Sequence, residues 1–549
     1  MTNPVPRWDA SDSPAAAAAA ELIEAQFDLS PDTINHITRQ LGARLRLGLQ
    51  SQQPFQLPAF VTSVPNGSEK GTFLAIDLGG TNCRICSVTL NGDGTFAVTQ
   101  NKAAVALDLR VNASYKPLFA FIAAKLADFL AAELGPGKQE SGETSSVPYR
   151  LGFTFSFTCD QTSVAQGTLI HWDKGWDIPE AIGKDPCVLL QEAIDAIKLP
   201  VRVCVLANDS VGTLLTRSYI SRSSAPTLAG VIFGTGTNAA YVERLHNVTR
   251  LPKEDRPHPA RESEDIMVIN TEWGCLDDGM GIVPSTEFDD MLDRESADQG
   301  GQMLEKRVSG MYLGELLRLV IASLMDKGAL TMVLVDDSSM LRRYCIDSSF
   351  LSALAEHEGA GDVCKTRDLI SKVVGADSVS EADAMIISRA ARAIAQRAAR
   401  LAGAALAAVI IQSGRLGAGQ GKEADQKVVV KQKTAAAVGR TTIMGILDDF
   451  CGALSLFTRK VLHAFGISRW RSRAPAAILS ETAAGEIIDI GVDGSLIEFY
   501  PGFEDEMRVA LRQVTEIGLA GEQRVRIGMA KDGSGVGAAL MALAATKTE

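Results

Sequence analysis

The sequence predicts an α/β protein built as two lobes, on three observations. The chain has 549 residues, too many for one hydrophobic core to stay compact, so it should divide. Two blocks of short β-like runs, opening near residue 71 and at LGFTFSF (151–157), are punctuated by glycine-containing turns. Two of those turns, LGGTN (78–82) and GTGTN (234–238), share their Thr-Asn ending, a weak internal repeat in which each lobe offers one Gly/Thr hairpin. Glycine and threonine also favour turns for their own sake, so this match alone leaves coincidence open.

The elements follow in order. Six alanines (15–20) running into AELIEAQF predict a helix, and LSPDTINHITRQLGARLRLGLQ continues it with Ser30 or Asp32 as N-cap. FLAIDL, CRICSVTL and TFAVTQ read as strands joined by GGTN and NGDG. PLFAFIAAKLADFLAAEL is helical, and a polar Gly/Ser loop spans 135–146. VRVCVLAND and TLAGVIFGTGTNAAYVERL restore the strand pattern. Beyond residue 300 long helical stretches dominate, such as DAMIISRAARAIAQRAARLAGAALAAVII. EIIDIGVDGSLIEFY reads as a last β-like piece, and RVRIGMAKDGSGVGAALMALAATK as strand, glycine turn and closing helix.

Composition removes several classes of function. With 54 Lys plus Arg against 66 Asp plus Glu, the net charge of −12 argues against a nucleic-acid or anionic-membrane surface as the main business. No secretory leader precedes AELIEAQF, and no apolar run is long enough for a transmembrane segment, so a cytoplasmic protein is expected. The nine cysteines are scattered and odd in number, which suits a reducing compartment. Cys83 and Cys86 form a C-x-x-C within a predicted strand, where residues three apart face opposite ways, so a metal or redox pair is not expected.

The stretch FLAIDLGGTNCRICSV carries the chemistry. Gly79 and Gly80 let the backbone turn tightly and approach a ligand without Cβ obstruction. Successive N–H groups in such a turn make a concavity for anions. Thr81 adds a hydroxyl, Asn82 an amide and Arg84 a positive charge, while Asp77 could hold Mg²⁺ directly or through water. A phosphate cradle and a plain β-hairpin turn explain GGTN about equally well. Other phosphate motifs fail. No GxxxxGK[ST] occurs, and Gly234-Thr-Gly236 would need a helix behind it to bind a dinucleotide, whereas NAAYVERL continues as a strand.

FLAIDLGGTN, LGFTFSF with GTLIHW and KGW, NDSVGTL, FGTGTNAAY, INTEWG, LEKRVSGMYLGE, DGSLIEFYPGF and KDGSGVGAALMAL stand in the order found in hexokinases. In detail they resemble fungal glucokinases, over roughly 45–415 and 486–549. The resemblance implies two RNase H-like lobes of the actin and sugar-kinase type around a deep cleft, the large lobe carrying added helices. It implies ATP and Mg²⁺ as cofactors, a hexose as substrate, and transfer of the γ-phosphoryl group to the sugar 6-hydroxyl, feeding glycolysis. The implied division places 1–72 in the large lobe, 73–208 in the small lobe and 209–530 in the large lobe, with 531–549 returning to the small one.

Residue by residue, the resemblance makes Asp209 the catalytic base and Lys174 a positive charge beside the sugar and the transferred group. Ser156, Phe157, Asp173, Asn208, Asn238, Glu272, Gln302 and Glu305 fall at sugar positions. Thr235 and Gly236 fall at phosphates, and Gly494 and Ser495 near the adenosine. Positioning and charge stabilisation dominate phosphoryl transfer, so a carboxylate of ordinary strength suffices as base. Sugar binding should close the lobes and exclude water.

Two departures from the family stand out. Its Trp-Thr-Lys-Gly becomes Trp172-Asp173-Lys174-Gly175, exchanging a hydroxyl that donates and accepts for a carboxylate that only accepts. This leaves three readings open: a catalytically impaired sugar-binding regulator, specificity shifted towards glucosamine or N-acetylglucosamine, or an Asp173 that merely pairs with Lys174 or turns outward. Beside it, Phe157-Thr158 replaces the family's Phe-Pro and loosens the turn next to Ser156. The second departure is 416–485, where a polar linker precedes apolar residues at helical spacing between 443 and 465. That helix should dock on the large lobe, a partner- or membrane-surface helix or a misread exon being the alternatives.

Overall fold

The computed structural model describes residues 14–133, 148–172, 175–222, 225–252, 265–416 and 486–545. It opens with α1 (Pro14–Phe27) and α2 (Pro31–Gln50). Of the two expected caps, Ser30 serves: its hydroxyl accepts from the N–H of Thr33, and Pro31 enters at a position that needs no donor. A short strand, β1 (Leu57–Pro58), then leads into the first sheet.

That sheet comprises β2 (Lys70–Gly79), β3 (Asn82–Asn91), β4 (Phe96–Ala104) and β5 (Tyr149–Phe155), with α3 (Lys116–Glu133) between β4 and β5. A two-stranded ribbon, β6 (Cys159–Ser163) and β7 (Gln166–Leu169), follows. Helix α4 (Pro186–Ala196) then returns the chain to β8 (Val201–Ala207). The order is β4-β3-β2-β5-β8, antiparallel through the meander and parallel thereafter.

Helix α5 (Asp209–Ser221) crosses to the second sheet, which begins with β9 (Thr227–Phe233), β10 (Thr237–Arg244) and β11 (Ile266–Asn270). A helical excursion containing α6 (Glu287–Glu295), α7 (Gly310–Asp326) and α8 (Glu381–Gln412) precedes β12 (Ile488–Asp493). Then come α9 (Ser495–Phe499), α10 (Phe503–Gln513), β13 (Val525–Met529) and α11 (Gly533–Ala545). The order β1-β11-β10-β9-β12-β13 has β9 to β11 antiparallel and β12 and β13 parallel to β9. Apart from β1, both sheets therefore follow one plan: an antiparallel meander extended on its first strand by two parallel strands. The repeat hinted at by the two hairpins extends to the whole topology.

One sequence expectation is corrected. DGSLIEFY does not prolong the strand, because Gly494 at φ +117° ends it and Ser495–Phe499 is helical. A Cβ on Gly494 would lie 2.4 Å from the Phe233 carbonyl, so only glycine lets β12 end this close to β9.

The core forms three clusters. One fills the second sheet and its helices, one lies on the α3–α4 side of the first sheet, and the third sits between the sheets around α5 and α11. Cys83 belongs to the second cluster and Cys86 to the third, so they do face opposite ways, as strand geometry requires. Helix α8 has the length and hydropathy of a membrane span, but 83% of that stretch is buried within the protein. Its Arg397 forms a fully enclosed two-pronged pair with Asp289 of α6, at 2.6 and 2.7 Å.

Candidate active site

The first glycine turn is the tip of the β2–β3 hairpin. Gly79 pairs with Asn82, and Gly80 takes φ +56°, the left-handed conformation that glycine adopts without strain. Its carbonyl accepts from the indole N–H of Trp176 at 2.5 Å, and the Thr81 carbonyl accepts from the N–H of Val105 at 2.9 Å. A Cβ on Gly79 would meet Ser156 at 3.3 Å, so this tip rests on a residue assigned to the sugar.

Behind the tip, Arg84 donates to Asp77 at 2.8 Å, to Asp532 at 3.0 Å and to Ser534 at 2.5 Å, while Ser534 donates to Asp77 at 2.8 Å. In this arrangement Arg84 pins the hairpin to the start of α11 rather than standing open to a phosphate. Two carboxylates against one guanidinium leave a negative charge, and Asp532 holds φ +61°, a conformation that costs a non-glycine residue roughly 1–3 kcal/mol. Burial, together with the fields of Asp532, Asp209 and Glu498, raises the Asp493 carboxyl. Asp77, Asp532 and Asp493 thus bring hard oxygen donors to this side of the protein, although no trio among the described residues forms a self-sufficient metal cage. Oxygen-rich and anionic, the residues present fit Mg²⁺ carried in on a polyphosphate.

The second turn is built differently. Gly234 accepts from the N–H of Gly310 at 2.8 Å and Thr235 from that of Met311 at 3.1 Å, so the first turn of α7 holds the β9–β10 tip by its carbonyls. Thr237 donates its N–H to Glu305 at 2.9 Å and accepts from Trp273 at 3.1 Å. Glu305 thereby links the second hairpin to the sugar assignment. Gly494 abuts this tip from β12 and brings Ser495 with it.

Asp209 is the first residue of α5, half-buried at a helix terminus whose N–H groups favour negative charge. The helix cap is Asn208, not Asp209: Asn208 accepts from the Ser210 N–H at 2.9 Å and from its hydroxyl at 2.6 Å. Asp209 also accepts from the Ser210 N–H, at 2.8 Å.

From Asn208 an amide chain runs on. Asn238 approaches Asn208 at 3.5 Å and donates to Asn270 at 2.9 Å, and Asn270 donates to Glu272 at 2.8 Å. Glu272 and Gln302 are both left-handed, at φ +47° and +53°. A Cβ on Gly274 would lie 2.3 Å from the Gln302 amide oxygen, so Gln302 lies directly over the turn that carries Glu272. Among the described residues, Asn208, Asn238, Glu272, Gln302 and Glu305 therefore gather at one end of the second sheet's strands, where β10 begins and β11 ends. Asn270 joins them unforeseen, although it stands inside the INTEWG motif.

Phe157 differs from its assignment. Its side chain is 4% exposed and packs against Trp172 at 4.7 Å and Trp176 at 5.1 Å, so the ring braces the loop rather than facing a sugar. Asp173 and Lys174 lie outside the described residues, as does the segment 417–485.

Comparison with known proteins agrees with this geometry. Two hexokinase family models match the chain, one over 19–219 and the other over 228–441 and 468–544. The break in the second falls inside the stretch that the sequence sets apart. The glucokinase of Aspergillus niger is 38% identical, with 96% of this chain and 97% of the relative aligned. Glucokinase-1 of Saccharomyces cerevisiae is 33% identical, over 97% and 98% respectively. Among solved structures, the Schistosoma mansoni hexokinase complexed with glucose superposes with a TM-score of 0.73 at 29% identity, covering 97% of this chain and 99% of that one. Two RNase H-like sheets, two glycine hairpins and an acid at the head of the joining helix match that kinship, and the chain belongs to the hexokinase family.

Proposed function

We propose that this protein transfers the γ-phosphoryl group of ATP to the 6-hydroxyl of glucose or a closely related hexose, with Asp209 as the base. The observation that carries the reading is the position of Asp209. It heads α5 beside the amide chain Asn208–Asn238–Asn270–Glu272, and it lies near enough to Asp493, the neighbour of Gly494, to help raise that carboxyl.

In this mechanism Glu272, Asn238, Asn208, Glu305 and Gln302 bind the sugar hydroxyls, with Ser156 on the facing lobe. Asp209 aligns the 6-hydroxyl and takes its proton as the oxygen attacks phosphorus in line; the bond from phosphorus to the bridging oxygen breaks, and ADP leaves. The hairpin residues Gly79, Gly80, Thr81 and Asn82 approach the phosphates from one side, Thr235 and Gly236 from the other. Gly494 and Ser495 flank the adenosine. Asp77 would hold, directly or through water, a magnesium ion brought in with the nucleotide, which would supply positive charge to the phosphates. Lys174 adds positive charge to the transferred group. Lobe closure over the sugar excludes the water that would otherwise accept the phosphoryl group.

A coupled assay with MgATP over glucose, fructose, mannose, glucosamine and N-acetylglucosamine tests this directly. ADP release that depends on glucose or a close hexose is expected. Glucose binding without ADP release from any of the five sugars would instead make the protein a sugar-binding regulator.

A further inference from the structure

The turn that carries Glu272 and the loop that carries Gln302 and Glu305 are separate pieces of chain that must keep register to present one sugar-binding face. Between them stands Asp278, a half-buried residue that no motif marks. One carboxylate oxygen accepts from the N–H of Gln302 at 3.1 Å and the other from the N–H of Met303 at 2.9 Å. The N–H of Leu304 donates to Gly274 at 3.0 Å, and Arg307 closes the loop from behind by donating to Met303 at 2.6 Å. Asp277 next door serves its own turn instead, accepting from Ile282 at 2.6 Å and Val283 at 3.3 Å. The grip of Asp278 falls on Gln302, the loop residue held left-handed, and three residues upstream of Glu305.

We propose that Asp278 is a positioning residue for sugar recognition: by holding the Gln302 and Met303 amides with its two oxygens, it sets where Gln302 and Glu305 stand relative to Glu272. The proposal rests on the assignment of those three residues to the sugar. Burial pushes the Asp278 carboxyl up to about 6, with Asp298 raising it further and the two amide bonds and Lys306 opposing. Cys275 on its own turn lies within its field, and Arg44 of α2 within that of Cys275. A carboxyl raised in the folded state favours folding below its own titration range and disfavours it above, so the ionised clamp lowers stability at neutral pH. As pH falls through about 6 the carboxyl gains a proton, and one oxygen can no longer accept as before.

Asp278→Asn keeps the shape but offers one acceptor where two amides point. The variant should raise the KM for glucose about ten-fold or more and leave the KM for ATP within about two-fold. Its melting temperature should lie within a few degrees of the wild type. The wild type supplies a second reading without any variant: glucose affinity, followed by intrinsic tryptophan fluorescence, should weaken between pH 7.5 and 5.5, whereas in D278N it should be weak and flat across that range. A glucose KM within two-fold of wild type in D278N, or glucose and ATP KM values rising together, would overturn the proposal. Glu305→Gln separates the two levels of inference. If it too leaves the glucose KM unchanged, the sugar assignment fails and this proposal with it; if it raises KM while D278N does not, only the role of Asp278 fails.

Discussion

Gly80 shows how one residue can be required twice over. Its φ of +56° disfavours any side chain by roughly 1–2 kcal/mol, yet a Cβ there would meet nothing within 4 Å. In the proposed function that open space would receive a phosphate. Gly80→Ala should therefore fold, lose about 1 kcal/mol of stability in denaturant, and raise the KM for ATP by about ten-fold or more. An unchanged KM for ATP would mean that the first hairpin does not seat the nucleotide. The residues that could be named from sequence were those inside motifs with recognisable chemistry. Asn270, Asp493 and Asp532 stand inside INTEWG, DGSLIEFYPGF and KDGSGVG and Asp278 in no motif, yet none was foreseen, because an acid or amide in a sequence looks the same whether it faces solvent or grips a neighbour. Phe157 shows the converse: its neighbour Ser156 belongs to the motif, while the Phe157 ring itself packs among Phe155, Trp172 and Trp176.

Among the elements, the crossing of α5 with α11 matters most, because α5 carries Asp209 and α11 packs against β2, β5 and β8 of the first sheet. The helices meet through glycines. A Cβ on Gly537 would lie 2.1 Å from the Cα of Gly212, and one on Gly212 would lie 2.4 Å from the Gly533 carbonyl oxygen. Gly537→Ala must push the helices apart, and urea denaturation should show a loss of roughly 1–3 kcal/mol. A variant as stable as the wild type would contradict so close a crossing. Helices, strands and both hairpins were legible, since hydrophobic period and glycine punctuation are local properties. What a glycine is for is not local: GSGVG shows a flexible start to a helix, and only the partner helix reveals that Gly537 is a contact. The same limit misread DGSLIEFY, where the strand ends because Gly494 must clear Phe233.

For the molecule as a whole, the two sheets share one plan that the sequence barely hints at. Pairing of β9 with β12 joins residues near 230 to residues near 490, and no local pattern reports a contact across that distance in the chain. Family resemblance supplied what periodicity could not, and the shared strand order supports it independently. The plan matters because it sets one glycine hairpin on each sheet and places α5 at the join, so that in the proposed function the acid at its head would stand between the hairpin that meets phosphates and the residues that bind the sugar. The most direct test of that arrangement is the turnover of Asp209→Asn with glucose and MgATP, measured beside its affinity for glucose. The arrangement predicts that kcat falls by about 10²-fold or more while glucose still binds within a few-fold of wild type, since Asn208 and not Asp209 caps the helix. Turnover within about two-fold of wild type would remove Asp209 from the chemistry and contradict the account.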